Sequence, residues 1–404
     1  MPKRLRVLHL ITKLEFGGAQ QNTLYTAGHL DPEAFEAAVA CGTGGLLDEK
    51  ARELEPRARV FWLRFLRREI RPWWDLLALW EIWRVLRRFK PDLVHTHSSK
   101  AGILGRWAAR WAGISAIVHT YHGFGFNDYQ PPLVKRLYAW LERRCAASTA
   151  QIVYVSRENM AYAQRHGIYG LRNPVLIRSG VPFPAGPCPL APEAKRRGRR
   201  AMGLPEEALL AVSIGNLKPQ KNPGHLVELA RRFEKRRKPE VRFLFIGGTE
   251  SPGRTMEGIA GTLPPNFHAL GWREDARKIL EVCDVFVLTS LWEGLPRSAV
   301  EALLAGLPVT AYATDGLKEI VQTETNGFLA PPGDLDALER GLETLRSNPQ
   351  RRKEMGERAV RSIGNQFDIN RMVRQQEVLY ARLAGPASQR PDVNPANVPQ
   401  NFQR

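Results

Sequence analysis

The sequence predicts an α/β protein of two domains, each a parallel sheet covered by helices, facing one another across a cleft. Three observations predict it: a chain of 404 residues, an alternation of short aliphatic runs with longer amphipathic stretches, and one break after which that rhythm restarts. At roughly 100 to 200 residues per domain, the length suits two domains and not one core. Hydrophobic residues make up 43% of the chain and charged residues 25%, the balance of a folded protein and not of a disordered or fibrous one.

The opening MPKRLRVLHLI has a basic tip, but its apolar run is short and a glycine turn at Gly17 interrupts it. No small-residue cleavage site follows, so it reads as a first strand and not as a signal peptide. A helix is expected from about Gly18, then AFEAAVA and ARVFWL as strands and WWDLLALWEIWRVLRRF as a helix. DLVHTH, AGILGRWAARWAG and AIVHTY continue as strand, helix and strand. Residues 181–203, with five prolines and a basic cluster, break the rhythm as a linker would. Beyond it ALLAVSIG, VRFLFIGG, NFHALGW, DVFVLTS and PVTAY alternate with helices through HLVELARRFEKRR, DARKILEV and PRSAVEALLAG. The expected domains are therefore Rossmann-like units at 1–180 and 204–366. A helix at 367–384 crosses back to the first domain, and a Pro-, Asn- and Gln-rich tail at 385–404 is expected to be disordered. Parallel sheets of this kind bind ligands at the carboxyl ends of their strands, so function is sought in the strand-to-helix loops.

The most informative segment is residues 284–311, DVFVLTSLWEGLPRSAVEALLAGLPVTA. A buried strand ends at Ser290, a tight turn contains Gly294, Pro296 takes the first helical position and the helix runs to Gly306. A helix start beside a glycine is a natural seat for a diphosphate, because its free N–H groups and its dipole both favour an anion. Glu293 precedes that helix and Glu301 lies within it, so a ligand draped over the helix start meets both. One carboxylate accepts two hydroxyl hydrogen bonds, which suits one glutamate per sugar on either side of a diphosphate. The alternative is that Glu301 is a solvated helix residue and Glu293 a charge favoured by the dipole.

With its context, EGLPRSAVE followed by ALLAGLPV resembles the two-glutamate signature of retaining glycosyltransferase family 4, whose members have the two-Rossmann GT-B fold. GGAQ at 17–20, HTHSSKAG at 95–102, HTYHGFGF at 119–126, IGNLKPQKNP at 214–223 and NGFLAPPGD at 326–334 resemble further family motifs, in the right order. The similarity runs over residues 5–382 and is greatest to members that build capsular and other surface polysaccharides.

The resemblance implies a nucleotide-sugar donor, UDP-linked, and a lipid-linked or other saccharide acceptor at the inner face of the cell membrane. It implies that Gly17 and Gly18 form a loop under the donor, that His122 faces the transferred sugar and that Lys221 sits on the diphosphate. Glu293 would bind donor-sugar hydroxyls, Gly294 and Leu295 the phosphate through their backbone, and Glu301 the ribose. Trp272 and Arg273, in GWREDA, would flank the base, and Lys100 would stand on the acceptor side. His119 reads as structural. Where the family has an arginine after the strand-end glycine, this chain has Asn216, and Lys218 is expected to supply the missing charge. Front-face attack assisted by the leaving phosphate is the implied chemistry, with neither metal nor cofactor. One Asp-x-Asp string, 334–336, follows PPG and opens a helix, so Asp334 is expected to cap it.

The net charge is +18, and residues 1–200 hold 32 Lys and Arg against 16 Asp and Glu. Within 60–90 lie five tryptophans and eight basic residues, and 133–144 adds Lys135, Arg136, Trp140, Arg143 and Arg144. That composition suits an anionic membrane surface. Recognition motifs for nucleic acid are missing, which argues against a nucleic-acid partner. A sugar-nucleotide epimerase of similar fold and a non-catalytic basic binding protein are the competing readings; oligomeric state stays open. Four widely spaced cysteines imply neither a disulfide framework nor a zinc ribbon, and a reducing cytoplasm fits them. No stretch is long and apolar enough to cross a membrane, so membrane contact is expected to be peripheral.

Overall fold

The computed structural model describes residues 3–186, 188–234, 240–249 and 255–385; beyond Gly385 the expected tail lies outside the described residues. Strands β1 (Leu5–Lys13), β2 (Phe35–Gly42), β3 (Ala58–Leu63), β4 (Leu93–His97), β5 (Ile117–Tyr121), β6 (Gln151–Tyr154) and β7 (Val175–Leu176) form one sheet. Its order is β3-β2-β1-β4-β5-β6-β7, and all of its pairings are parallel. A second sheet contains β8 (Leu209–Ile214), β9 (Val241–Ile246), β10 (Phe267–Ala269), β11 (Val285–Leu288), β12 (Val309–Tyr312) and β13 (Gly327–Ala330). It runs β10-β9-β8-β11-β12-β13, again all parallel. The strand order reverses between β1 and β4 and between β8 and β11, which opens a crevice at the carboxyl ends of those strands.

Both faces of each sheet are covered, so the strands read as continuous apolar runs. Along β1, Leu5, Val7 and Ile11 pack with Leu24 and Ala27 of helix Gly18–His29. Leu8 and Leu10 face the other way, toward Leu79 and Leu86 of helix Pro72–Phe89 and Leu104 of helix Ser99–Trp111. Helix Ile369–Ala384, capped by Asp368, joins the first of these layers through Met372, Val373, Leu379 and Tyr380, so the chain's last helix lies on the N-terminal domain.

The structure departs from the sequence reading in three places. First, the stretch read as a linker contains helix Pro192–Ala201, bound to the second domain. There Arg199 reaches Asp284 at 2.6 Å and the carbonyls of Val282 and Ala208 at 2.9 and 3.0 Å, so the basic cluster is partly an internal fastener. Second, β6, β7 and β13 escaped notice because runs of two to four residues carry no period. Third, Pro296 occupies the position before helix Arg297–Leu304, and strand β11 stops at Leu288.

Helix Pro132–Ala146 is fixed to the sheet by a buried ion pair. Arg106 of helix Ser99–Trp111 meets Glu142 at 2.5 Å, and the same Glu142 oxygen accepts from the Tyr121 hydroxyl at 2.7 Å. Neither Arg106 nor Glu142 is more than 1% exposed. Breaking such a pair by removing one partner strands the other charge, which costs about 3–5 kcal/mol. Glu142→Ala is expected to lower the free energy of unfolding in urea by that amount, and a loss below about 1 kcal/mol would refute the assignment.

Candidate functional site at the domain interface

A cavity of about 450 Å³ lies between the domains, where loops from both switch points meet. From the first domain come the turn after β1, with Phe16, Gly17, Gly18 and Gln21, and His122 after β5. From the second come Asn216 and Lys221 after β8, Trp272 and Arg273 after β10, and Glu293 to Glu301 after β11. Eleven of the residues expected at the site line this cavity: Gly17, Gly18, His122, Asn216, Lys221, Trp272, Arg273, Glu293, Gly294, Leu295 and Glu301.

Two do not. Lys100 is held by Asp75 at 2.5 Å and contacts the Glu69 carbonyl, bracing helix Pro72–Phe89 away from the cavity. Lys218 turns toward Glu15 of the first domain at 2.6 Å and lines a neighbouring cavity with Arg64, Arg67 and Arg68. Asn216 belongs to the same seam: with its amide turned to suit both neighbours, it donates to the Phe16 carbonyl at 3.0 Å and accepts from Lys218 at 3.2 Å. The charge expected from Lys218 is thus directed at a carboxylate of the other domain.

The two lobes touch where side chains are missing. A Cβ on Gly294 would stand 1.9 Å from the His122 carbonyl oxygen, so only glycine permits that approach. Phe16 and Trp272 pack across the seam with ring centroids 4.9 Å apart.

Charge is concentrated at the start of helix Arg297–Leu304. None of the N–H groups of Gly294, Leu295, Arg297 and Ser298 finds a backbone acceptor among the described residues, as the first turn of a helix dictates. Lys221 Nζ meets Glu293 at 2.5 Å, and the Glu293 N–H donates to Asp315 at 2.6 Å. Burial pushes the Asp315 carboxyl up to about 6. Burial also raises Glu301, partly offset by Arg297.

Arg297 is the functional candidate that sequence reasoning missed. Its side chain is 9% exposed, donates to Gln21 Oε1 of the other domain at 2.5 Å and reaches Glu301 only at 3.5 Å. Its Nε has no hydrogen-bond partner among the described residues. The signal was present, since Arg297 stands four residues after Glu293 and four before Glu301 in the segment already singled out. His122 is held down to about 4 by burial and by Arg297, so the ring is neutral at neutral pH. Asp334 caps helix Leu335–Ser347 by accepting from the Ala337 N–H at 2.8 Å, and His119 is buried against Thr96 at 2.8 Å.

Comparison with known proteins agrees with this architecture. Residues 17–177 match the glycosyl transferase 4-like domain, and residues 194–362 match glycosyl transferases group 1. The chain is 30% identical over 382 residues to an Escherichia coli enzyme, the UDP-Gal:alpha-D-GlcNAc-diphosphoundecaprenol alpha-1,3-galactosyltransferase, covering 93% of this chain and 97% of that one. Sucrose-phosphate synthase from Thermosynechococcus elongatus superposes with a TM-score of 0.79 at 21% identity, over 94% of this chain and 99% of the other. HepE from Anabaena, in complex with UDP-glucose, superposes with a TM-score of 0.75 at 20% identity, over 94% and 100%. Two parallel-sheet domains, a cleft built from both switch points and these matches together place the chain in the family of group 1, family 4-type glycosyltransferases of the GT-B fold.

Proposed function

We propose that this glycosyltransferase moves a sugar from a UDP-sugar to a lipid-linked saccharide acceptor with retention of configuration, in the synthesis of a surface polysaccharide. The observation that carries the reading is the convergence of Lys221, Arg297 and the unpaired N–H groups of Gly294 and Leu295 on one cavity flanked by Glu293 and Glu301. That set matches a diphosphate with a sugar at each end. The 30%-identical Escherichia coli relative uses UDP-galactose and a diphosphoundecaprenol-linked acceptor by its name, and the HepE structure contains UDP-glucose; both support the donor class.

In this reading Glu301 takes the ribose hydroxyls, Glu293 the donor-sugar hydroxyls, and Trp272 with Arg273 the base. Gly17 and Gly18 let backbone approach the donor, and His122 faces the transferred sugar. Asn216 leaves the usual arginine position without charge, and Arg297 supplies the second cation beside Lys221. The acceptor hydroxyl attacks the anomeric carbon from the side of the leaving diphosphate. The bond from that carbon to the phosphate oxygen breaks, and the hydroxyl proton passes to the departing phosphate. The protein contributes positioning and stabilisation of the charge that develops on the leaving group.

Binding of UDP is expected to raise the unfolding free energy by about 2.7 kcal/mol at a hundredfold excess over Kd. In thermal melts Glu301→Ala and Lys221→Ala should lose that shift while GDP and ADP give smaller ones. A well-folded sample that no nucleotide stabilises would sink the reading.

No helix among the described residues is long and apolar enough to cross a membrane. A different surface suits peripheral attachment at the inner membrane face. Helices Pro72–Phe89 and Pro132–Ala146 both pack on helix Ser99–Trp111 and leave apolar side chains outward, with Trp73 79% and Leu133 78% exposed. Arg84 lies over Trp80 at 4.6 Å and Arg144 over Trp140 at 5.5 Å. Tryptophans favour the headgroup zone, and each basic residue near an anionic leaflet contributes about 1 kcal/mol. Co-sedimentation with phosphatidylglycerol-containing vesicles is expected to weaken at least tenfold when Trp73, Trp80 and Leu133 are changed together to Ala. Equal binding of the triple variant, or equal binding to purely zwitterionic vesicles, would contradict this attachment.

A further inference from the structure

Beneath His122 runs a row of buried histidines that the proposed reaction does not use. His9 and His95 are register partners on β1 and β4, and His97 follows two residues later on the same face. His9 Nδ1 lies 3.2 Å from His97 Nε2, and His97 Nδ1 lies 3.2 Å from His122 Nε2. The three rings therefore form a hydrogen-bonded chain from the core of the first domain to the edge of the interdomain cavity. His95 stands beside the chain but is committed elsewhere, with Nδ1 2.6 Å from the Tyr380 hydroxyl and Nε2 2.7 Å from Thr120 Oγ1.

Burial keeps these rings uncharged: it holds His9 down to about 3 and His97 well below the ordinary histidine value. A neutral imidazole carries one proton on two nitrogens. Each of the two N···N contacts needs one proton, so only two arrangements of the whole chain satisfy both. In one, His9 Nδ1–H donates to His97, His97 Nδ1–H donates to His122, and the His122 proton sits on Nδ1. In the other every proton is reversed, and His9 carries its own on Nε2. His9 is wholly buried and its Nε2 has no partner. Each arrangement thus leaves one buried N–H without an acceptor among the described residues, His9 Nε2–H in the second and His122 Nδ1–H in the first. The orphan of the second lies in the core, where His9 is 0% exposed, whereas that of the first belongs to a residue lining the cavity, where a ligand oxygen can accept it.

We propose that His97, backed by His9, is a positioning residue that fixes His122 as its Nδ1–H tautomer, so that His122 presents a hydrogen-bond donor to an oxygen of the bound sugar. His122 Nδ1 is buried and without a partner among the described residues, and the residue lines the cavity, so a ligand oxygen seated there is the acceptor that this N–H lacks. The proposal rests on the reading that His122 faces the transferred sugar. Its test requires no substrate, so its failure is separable from a failure of the nucleotide melts.

With histidine nitrogens labelled, long-range proton–nitrogen correlation spectra of the full chain at neutral pH distinguish the two neutral tautomers, and His122→Gln assigns the signal among nine histidines. The wild-type protein is expected to show His122 protonated on Nδ1. His97→Phe should shift it to the Nε2–H form. His97→Asn, whose amide nitrogen stands where Nδ1 did, should restore the Nδ1–H form, and His9→Phe should give a mixture. A wild-type His122 found on Nε2, or doubly protonated, would overturn the proposal whether or not the variants fold. So would an Nδ1–H signal that persists in folded His97→Phe. The ligand atoms of His9, His95 and His97 also lie within 4.8 Å of one another, so a stoichiometric transition metal in the purified protein would overturn it as well, by showing the nitrogens engaged in coordination.

Discussion

The site depends on one close approach, that of Gly294 in the second domain to the carbonyl of His122 in the first. With a Cβ of Gly294 only 1.9 Å from that oxygen, any larger residue would hold the lobes apart. Everything functional is measured from this contact. His122 belongs to one lobe, the helix start at Arg297 belongs to the other, and the cavity exists only while they are apposed. A second point of the same kind lies alongside, where a Cβ on Gly18 would meet Arg297 Cδ at 3.0 Å. Besides the packing of Phe16 on Trp272, polar links cross the seam: Arg297 with Gln21 at 2.5 Å, Lys218 with Glu15 at 2.6 Å, Arg178 with Glu319 at 2.5 Å. A pair that keeps some solvent contact, as Lys218 with Glu15 does, contributes about 0–1 kcal/mol. Such a seam is specified sharply in geometry and only modestly in energy, which suits lobes that must part to admit a substrate.

The helix Ile369–Ala384 limits how far they part. It is the last of the described elements, follows directly on the second domain, and yet is built into the first through Met372, Leu379 and Tyr380. The chain therefore crosses between the domains twice, once near residue 180 and once near residue 367, and Val181 bridges to Asp368 where the two crossings meet. Two adjacent crossings act as a hinge, since they permit rotation about one line while preventing separation.

What was legible in the sequence is what is local. The strand, turn and helix around Glu293 and Glu301 could be read because the chemistry lies within one segment, and the alternation of aliphatic and amphipathic runs carried the fold. Lys218 was read toward the donor, and the direction it takes depends on a carboxylate distant in sequence, Glu15 of the other domain; Lys100, read on the acceptor side, is held by Asp75. The role of Arg199 inside the supposed linker was hidden for the same reason, since Asp284 lies 85 residues away. The histidine row was invisible for a further reason. HLI, HTH and HTYH each read as ordinary strand ends, and only the parallel register of β1, β4 and β5 stacks them into a chain.

The electrostatics of the cavity carry the last step. Arg297 is a desolvated cation whose nearest fully formed bond is to a neutral amide, and whose carboxylate neighbour is 3.5 Å away. Burial alone lowers its affinity for its proton. Lys221 is better served, but its partner is Glu293, a carboxylate with hydroxyl ligands of its own in the proposed complex. The cavity is lined by Lys221, Arg273, Arg277 and Arg297 and by Glu274, Glu281, Glu293 and Glu301, and Arg297 is the buried cation whose short bond is to a neutral amide. A buried charge without full compensation is costly, and in the proposed complex a diphosphate at the helix start would relieve that cost at Arg297. In that proposed complex the affinity for the donor would come as much from removing an unfavourable arrangement as from forming favourable contacts. His122, beside Arg297, is neutral because burial and that guanidinium both disfavour its charged form.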